Sequence, residues 1–398
     1  MTQTVPSATL AKPPAALTAS CFVSSFDRVA VTPMLVLIAV ELDVPLAAAV
    51  AVASGYYLAY GLSQPIWGVL SDRFGRLRVM RVALLGAALA GLVSALVPGL
   101  GTLVVARIVA GACFGGVIPT SLTYVGDTVG VALRQRALSS LMGVMAVATA
   151  TATGVGGLLG DLAGWRLVFT VPALCALVCV LALRAVPEPP RAEIAGLGRH
   201  VRAVLSRPWA LLVFSLAFVE GAVLLGTMAF LATALQHQGI STTVAGLGTA
   251  AYGIGVWLSS RLVMRLSRGR PVWLLIAIGG AQLCAAYTIV AADVSVATVT
   301  VSSLVLGGGY SFIHSSLQTW ATSVVPEARG TTVAFFASSL FVGGAVASWA
   351  AGPLAENGAY PLLFGLTAAV AVPLTVVATL SRRRYGLLPP EGASGQPQ

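Results

Sequence analysis

Only 9% of the 398 residues are Asp, Glu, Lys or Arg, so the few charges that fall inside apolar runs are conspicuous. Asp27 and Arg28 lie about ten residues into the run that starts near residue 17, and Glu220 about eleven residues into the run that starts near 209. A charge at the middle of a hydrocarbon layer costs at least about 2.5 kcal/mol and marks a substrate path or proton relay unless it is only part of a structural network. Neighbours on a helix diverge by about 100°, so Asp27 and Arg28 face different directions. Arg107 and His314 extend the set. Arg107 falls near one end of its run, where a long side chain also has the option of snorkelling to the interface. His314 stands beside Ser315, Ser316 and Gln318, so it reads as a pocket hydrogen-bonding residue or as a proton relay. Between two apolar runs comes Gly68-Val-Leu-Ser-Asp72-Arg73-Phe-Gly75-Arg76-Leu-Arg78, followed by an acidic Asp127 after the fourth run. No His/Cys/Asp/Glu cluster has metal-ligand spacing and no phosphate-binding GK[ST] loop is present. The five cysteines fall inside apolar stretches and form no C-x-x-C pair, so they read as inert buried thiols. No metal, cofactor or catalytic group is expected, and the chain does not read as an enzyme.

The elements that position these residues follow from composition. Hydrophobic residues make up 57% of the chain, and mean hydropathy is +0.92. A soluble enzyme, a nucleic-acid binder or a disordered scaffold is excluded as the main body. The net charge of +10 sits in short blocks between long apolar runs, the pattern of a polytopic membrane protein. With about 20 residues per crossing plus short loops, the length holds about 12 crossings. They read as all-α, at about 17–40, 46–70, 79–97, 101–124, 138–160, 165–183, 209–233, 242–262, 271–291, 295–320, 331–353 and 361–380. This divides the chain into an N-terminal tail (1–16), a first six-helix bundle (17–183), a proline- and arginine-rich linker (184–208), a second bundle (209–380) and a C-terminal tail (381–398).

Placing both termini on one side puts 20 of the 23 Lys and Arg residues on that side. Arg166 falls opposite, with Glu41, Asp43, Asp161, Asp293 and Glu356, and Arg28 and Arg107 lie within spans. The positive-inside rule then assigns both termini to the cytoplasm of a multi-pass protein of the plasma (inner) membrane.

The two halves also repeat. Arg73-x-x-Arg76-x-Arg78 falls on Arg265-x-x-Arg268-x-Arg270 at an offset of 192, Arg136 on Arg329 at 193, and Asp161, Gly164, Trp165 and Phe169 on Glu356, Ala359, Tyr360 and Phe364 at 195. Two six-helix repeats are the mark of a secondary transporter with its site near the midplane. The offset sets Glu220 against Arg28, which predicts that the two face one another across the cavity. Asp27 has Arg107 as a possible partner in the same bundle, although residue counts place them more than about 10 Å apart in depth.

The Gly68–Arg78 segment resembles the G-x-x-x-D-R-x-G-R-x-R/K loop of the major facilitator superfamily, and it falls after the second crossing as in that family. Leu103-x-x-x-Arg107-x-x-Ala-Gly111 resembles the family's second motif, with Ala110 in place of its usual Gln. The resemblance implies two pseudo-symmetric bundles that work by alternating access. It also implies a latch in which Asp72 meets the start of the eleventh helix and the arginines meet Asp127. Gly68 would let two helices approach closely, and Gly75 would permit the tight turn. The first crossing and the segment from Tyr56-Tyr57 to Pro65 lean toward the 12-helix drug:proton antiporter branch. The fifth crossing departs from that branch, with Ala152-Thr153 where its Gly-Pro would stand. The reading is a monomeric transporter that moves a small, partly apolar compound outward in exchange for protons. Uptake by symport is the alternative, and a non-transporting receptor of the same fold is the alternative of another class.

Overall fold

A computed structural model describes residues 12–189 and 197–387. Among these residues the secondary structure is helical, with no strand. Ten helices are long and apolar enough to cross a membrane. The longest, Leu133–Ala185, is two crossings joined at Gly164, whose φ of +76° breaks the helix where the turn was expected. With Thr242–Leu266, which carries Arg261 and Arg265 toward its end, the total is twelve. We label them α1 (Ala15–Glu41), α2 (Leu46–Phe74), α3 (Arg76–Leu96), α4 (Leu100–Thr128), α5 (131–163), α6 (165–182), α7 (Pro208–His237), α8 (Thr242–Leu266), α9 (Val272–Ala292), α10 (Val296–Val324), α11 (Arg329–Glu356) and α12 (Tyr360–Tyr385). They form two pseudo-symmetric six-helix bundles, α1–α6 and α7–α12. Large apolar side chains such as Leu62, Val105, Leu181, Trp349 and Val376 point outward and are exposed. Patches of this extent do not face water on a monomeric soluble protein, and they suit lipid.

Several helices are interrupted. Pro33 lacks a backbone N–H, and α1 passes through a 3₁₀ turn at Thr32–Met34 before resuming at Leu35. α4 breaks at Gly115–Gly116. α7 widens into a π turn at Ala222–Gly226, directly after the segment that carries Glu220. The carbonyl of Val223 accepts from Thr227 Oγ1 (2.6 Å) and from the Tyr287 hydroxyl. The expected linker includes a short helix, Leu197–Leu205, with Val204 fully buried. Pro190 and Arg191 of that linker, the tail residues 1–11 and the tail residues 388–398 lie outside the described residues.

One end of the molecule carries the arginines and the other carries Glu41, Asp161 and Glu356. The bundles meet along two seams, α2 with α11 and α5 with α8. Toward the acidic end the seams are tight. A Cβ on Gly61 would stand 2.7 Å from the Phe341 Cβ, and one on Gly157 would stand 2.5 Å from the Thr242 carbonyl. Further toward the arginine-rich end, on the same helix faces, Gly68 (one heptad from Gly61) and Gly143 (two heptads from Gly157) have nothing within 4 Å of that position. The expectation that Gly68 holds two helices close is therefore corrected. In this conformation the seam has already parted at its level.

Polar bonds between the bundles follow the same pattern. Glu356 accepts from the Ala47 N–H (2.9 Å), Asp161 accepts from the N–H groups of Thr242 (3.2 Å) and Thr243 (2.7 Å), and Gln236 donates to the Pro33 carbonyl (2.9 Å). Ser338 donates to the Gly61 carbonyl (2.8 Å) at mid-depth. The molecule is closed at its acidic end and parted at its arginine-rich end.

Candidate functional site

Asp27 and Arg107 form one buried unit. Arg107, fully buried on α4, donates from Nη1 to Asp27 Oδ1 (3.0 Å) and from Nη2 to Oδ2 (2.8 Å). The rings of Tyr56 and Phe169 lie 4.6 and 4.5 Å from the guanidinium carbon, one from α2 and one from α6. Both the snorkelling of Arg107 and its predicted separation in depth from Asp27 are corrected. Residue counts assume upright helices that begin at one level, and a bidentate Arg–carboxylate pair is strong enough to fix a different stagger.

Glu220 and His314 form a second unit, in the other bundle. His314 Nδ1 lies 3.1 Å from Glu220 Oε1, and Glu220 Oε2 is buried without a hydrogen-bond partner. Glu220 is entirely buried, whereas His314 keeps 13% of its side chain exposed. The imidazole stacks on Tyr310 (4.5 Å between ring centroids) and lies near Phe336 (5.6 Å). The exposed member of the pair is therefore the imidazole, through which a proton can reach the carboxylate.

Arg28 does not pair with Glu220 in this conformation. Its guanidinium stands 5.6 Å from the Tyr60 ring and 5.4 Å from the Phe341 ring, one from each bundle, with its Nε buried and unpartnered. Among the described residues no carboxylate pairs with it. The repeat relates Arg28 to Glu220 and, at the same offset of 192, Tyr60 to Tyr252. It gives His314 only Leu122 as a counterpart, so the group that occupies Glu220 has no equivalent in the first half. Tyr252 and Tyr310 lie within electrostatic reach of both Arg28 and Glu220, which places the two charges around one central region.

The loop motif is assembled around Arg76. Its Nε donates to Asp127 Oδ2 (3.1 Å), and its Nη1 contacts Ser71 Oγ (3.0 Å) and Asp72. The Arg76–Asp127 pair is as expected from the resemblance. Asp72 is not: it meets Arg76, one turn away in its own bundle, next to the level where a Cβ on Gly68 would have nothing within 4 Å. Gly75 has φ +105°, a backbone conformation that L side chains avoid, and makes the turn. The side chains of Arg73 and Arg78 are exposed. Glu188, which sequence reasoning missed, accepts from the Leu77 (3.0 Å) and Arg78 (3.1 Å) N–H groups and caps α3. Tyr124 donates to the Pro187 carbonyl (3.0 Å) and fixes the same segment. The available signal was an acid set between Pro187 and Pro189 in an arginine-rich linker.

The model of the Major Facilitator Superfamily matches residues 17–348. The chain belongs to the major facilitator superfamily. Curated relatives match over short stretches. An efflux pump, dotC, of Dothistroma septosporum is 35% identical over 156 residues, which cover 39% of this chain and 27% of the pump. A triacylglyceride transporter of Mycolicibacterium smegmatis is 33% identical over 161 residues, covering 36% and 27%. An arabinose-proton symporter of Bacillus subtilis is 34% identical over 135 residues, covering 32% and 29%. This major facilitator chain thus spans about a quarter of the length of the first of these relatives. The fold is shared with a D-xylose-proton symporter (TM-score 0.76, 15% identity, 91% of this chain and 95% of that one). It is shared as well with a bacterial homolog of the human lysosomal transporter Spinster in an inward-facing, unoccupied conformation (TM-score 0.70, 17% identity, 92% and 96%).

Proposed function

We propose that this major facilitator transporter is a proton-coupled exporter of a small, partly apolar compound, acting as a monomer in the plasma membrane with both termini cytoplasmic. The orientation rests on the arginine excess at the end that carries residues 73–81, 261–270 and 382–384. With that orientation the conformation described is inward-facing. The observation that carries the coupling is the Glu220–His314 contact at 3.1 Å, with one buried carboxylate oxygen free and the imidazole partly exposed. Both side-chain types take up and release protons, and the pair sits where the bundles rock. The Asp27–Arg107 unit is fully satisfied at the carboxylate and is better suited to holding α1 against α4 than to carrying a proton. The stretch similar to an efflux pump supports export, and that similar to a proton symporter supports uptake as the second reading.

Purified protein in proteoliposomes with an imposed pH gradient, assayed for flux of a compound panel, tests the proposal. Export requires that a compound accumulate on one side when protons run the opposite way across the protein. Accumulation in the direction of proton flow favours uptake, and flux indifferent to the gradient contradicts coupling.

A further inference from the structure

The charges in the central region do not balance in kind. Asp27 is matched by Arg107, and Glu220 has a hydrogen-bonding partner in His314 and can also discharge by taking a proton. Arg28 has neither option. A guanidinium keeps its charge at any physiological pH, and no carboxylate among the described residues stands against it. What surrounds it is aromatic: Tyr60 from α2 and Phe341 from α11, themselves 4.5 Å apart, with Tyr57 6.4 Å from Phe341. The ring faces and the Tyr60 hydroxyl offset part of the cost of burying a cation, but they supply no opposite charge, and Nε is left without an acceptor. The two rings that flank it belong to different bundles, at the seam that is tight at this level and open below it. A ligand that enters from the parted end meets Arg28 before it meets the closed end.

We infer that the transported molecule is an organic anion whose carboxylate docks on Arg28 while its apolar body lies among Tyr57, Tyr60 and Phe341. This rests on the reading of the central region as the transport site. A carboxylate supplies two acceptors in the plane that the guanidinium fork requires. An amine would face a fixed like charge and an amide would leave that charge unmatched, so the site discriminates by charge. The rings then favour a flat or aromatic body over a sugar-like one, because sugars bring hydroxyl groups that these three side chains cannot fully satisfy.

The test is equilibrium binding to the purified full chain in detergent, without a gradient, at a pH where the acids are ionised. The probes are matched sets: benzoate with benzamide and benzylamine, and 1-naphthoate with its amide and amine, read by tryptophan fluorescence and calorimetry. The acids should bind about tenfold or more tighter than their amides and amines. Arg28→Gln should erase that preference, and Arg28→Lys, which keeps the charge but loses the planar fork, should keep part of it. If Arg28→Gln does not fold, the comparison of acid with amide in the wild type and in Arg28→Lys still decides. Equal or tighter binding of amides or amines overturns the inference. So does an acid preference that survives Arg28→Gln, or the absence of acid binding below about 10 mM. Because no gradient is applied, the outcomes separate. Acid preference without proton-driven flux removes the coupling proposal alone, and proton-driven flux without acid preference removes the anion alone.

Discussion

At the scale of single residues, the two bidentate or near-contact charge units call for different behaviour on mutation. Asp27→Asn leaves Arg107 buried between Tyr56 and Phe169 with its opposite charge removed. Breaking a buried pair from one side costs about 3–5 kcal/mol. The expected result is a lower melting temperature and a smaller folded yield in detergent, with Asp27→Asn/Arg107→Gln closer to wild type than either single change. A full-strength melting transition in Asp27→Asn would show that the unit is not structural. The charges at Asp27, Arg28 and Glu220 were legible from the sequence because they interrupt apolar runs. Of their partners only Arg107 was, as a candidate for Asp27 set against a mismatch in depth, and His314 was not foreseen as the partner of Glu220. Residue counts measure depth along a helix and not the stagger between helices, so Asp27–Arg107 looked strained. The repeat predicts pairs only where both halves carry one, and Leu122 stands where a counterpart of His314 would be.

At the scale of elements, the closed end is held by the pseudo-symmetric acids that the repeat already aligns. Asp161 ends α5 and meets the first N–H groups of α8, and Glu356 ends α11 and meets the Ala47 N–H at the start of α2. A carboxylate at a helix N-terminus is worth about 0.3–1 kcal/mol, up to about 2 when partly buried. Asp161→Asn with Glu356→Gln should therefore move the balance between closed and open acidic ends by about 5–30-fold per 1–2 kcal/mol lost. Spin-label distances across the α5–α8 seam at that end measure it, and an unchanged distance distribution would show that the caps do not govern closure. At the opposite end Asp72→Asn removes the partner of Arg76 from a loop that Asp127 and Glu188 also hold. Flux should fall much more than folded yield, and wild-type flux would count against a gating role for the motif. The twelve crossings were readable from hydropathy, and most ends from turn residues such as Pro98-Gly99 and Glu356 to Gly358. The 3₁₀ turn at Thr32–Met34 has a local cause in Pro33, whereas the π turn at Ala222–Gly226 was not readable, because Tyr287, which meets the Val223 carbonyl there, lies far away in the chain.

At the scale of the whole molecule, the sequence specifies both ends of the rocking motion at once, so it could not show which end is closed. The glycines tell it instead: Gly61 is packed while Gly68 is free, and Gly157 is packed while Gly143 is free. A Cβ on Gly352 would stand 3.4 Å from that of Ala47, close to the roughly 3.5–4.5 Å that a disulfide spans. Ala47→Cys with Gly352→Cys, on a background free of other cysteines, should therefore crosslink on oxidation, stop transport and regain it on reduction. Transport by the crosslinked protein at the uncrosslinked rate would contradict alternating access about these seams. The central claim is that Glu220, served by His314, carries the proton. Its most direct test is proteoliposome flux of a transported panel compound with a pH dye inside the vesicles, comparing wild type with Glu220→Gln. In the wild type, proton movement should accompany substrate movement and a pH gradient should drive accumulation. Glu220→Gln should lose both while still exchanging labelled for unlabelled substrate at a measurable rate. If Glu220→Gln still moves protons with substrate and still accumulates it against a gradient, the proton is carried elsewhere and the account is wrong.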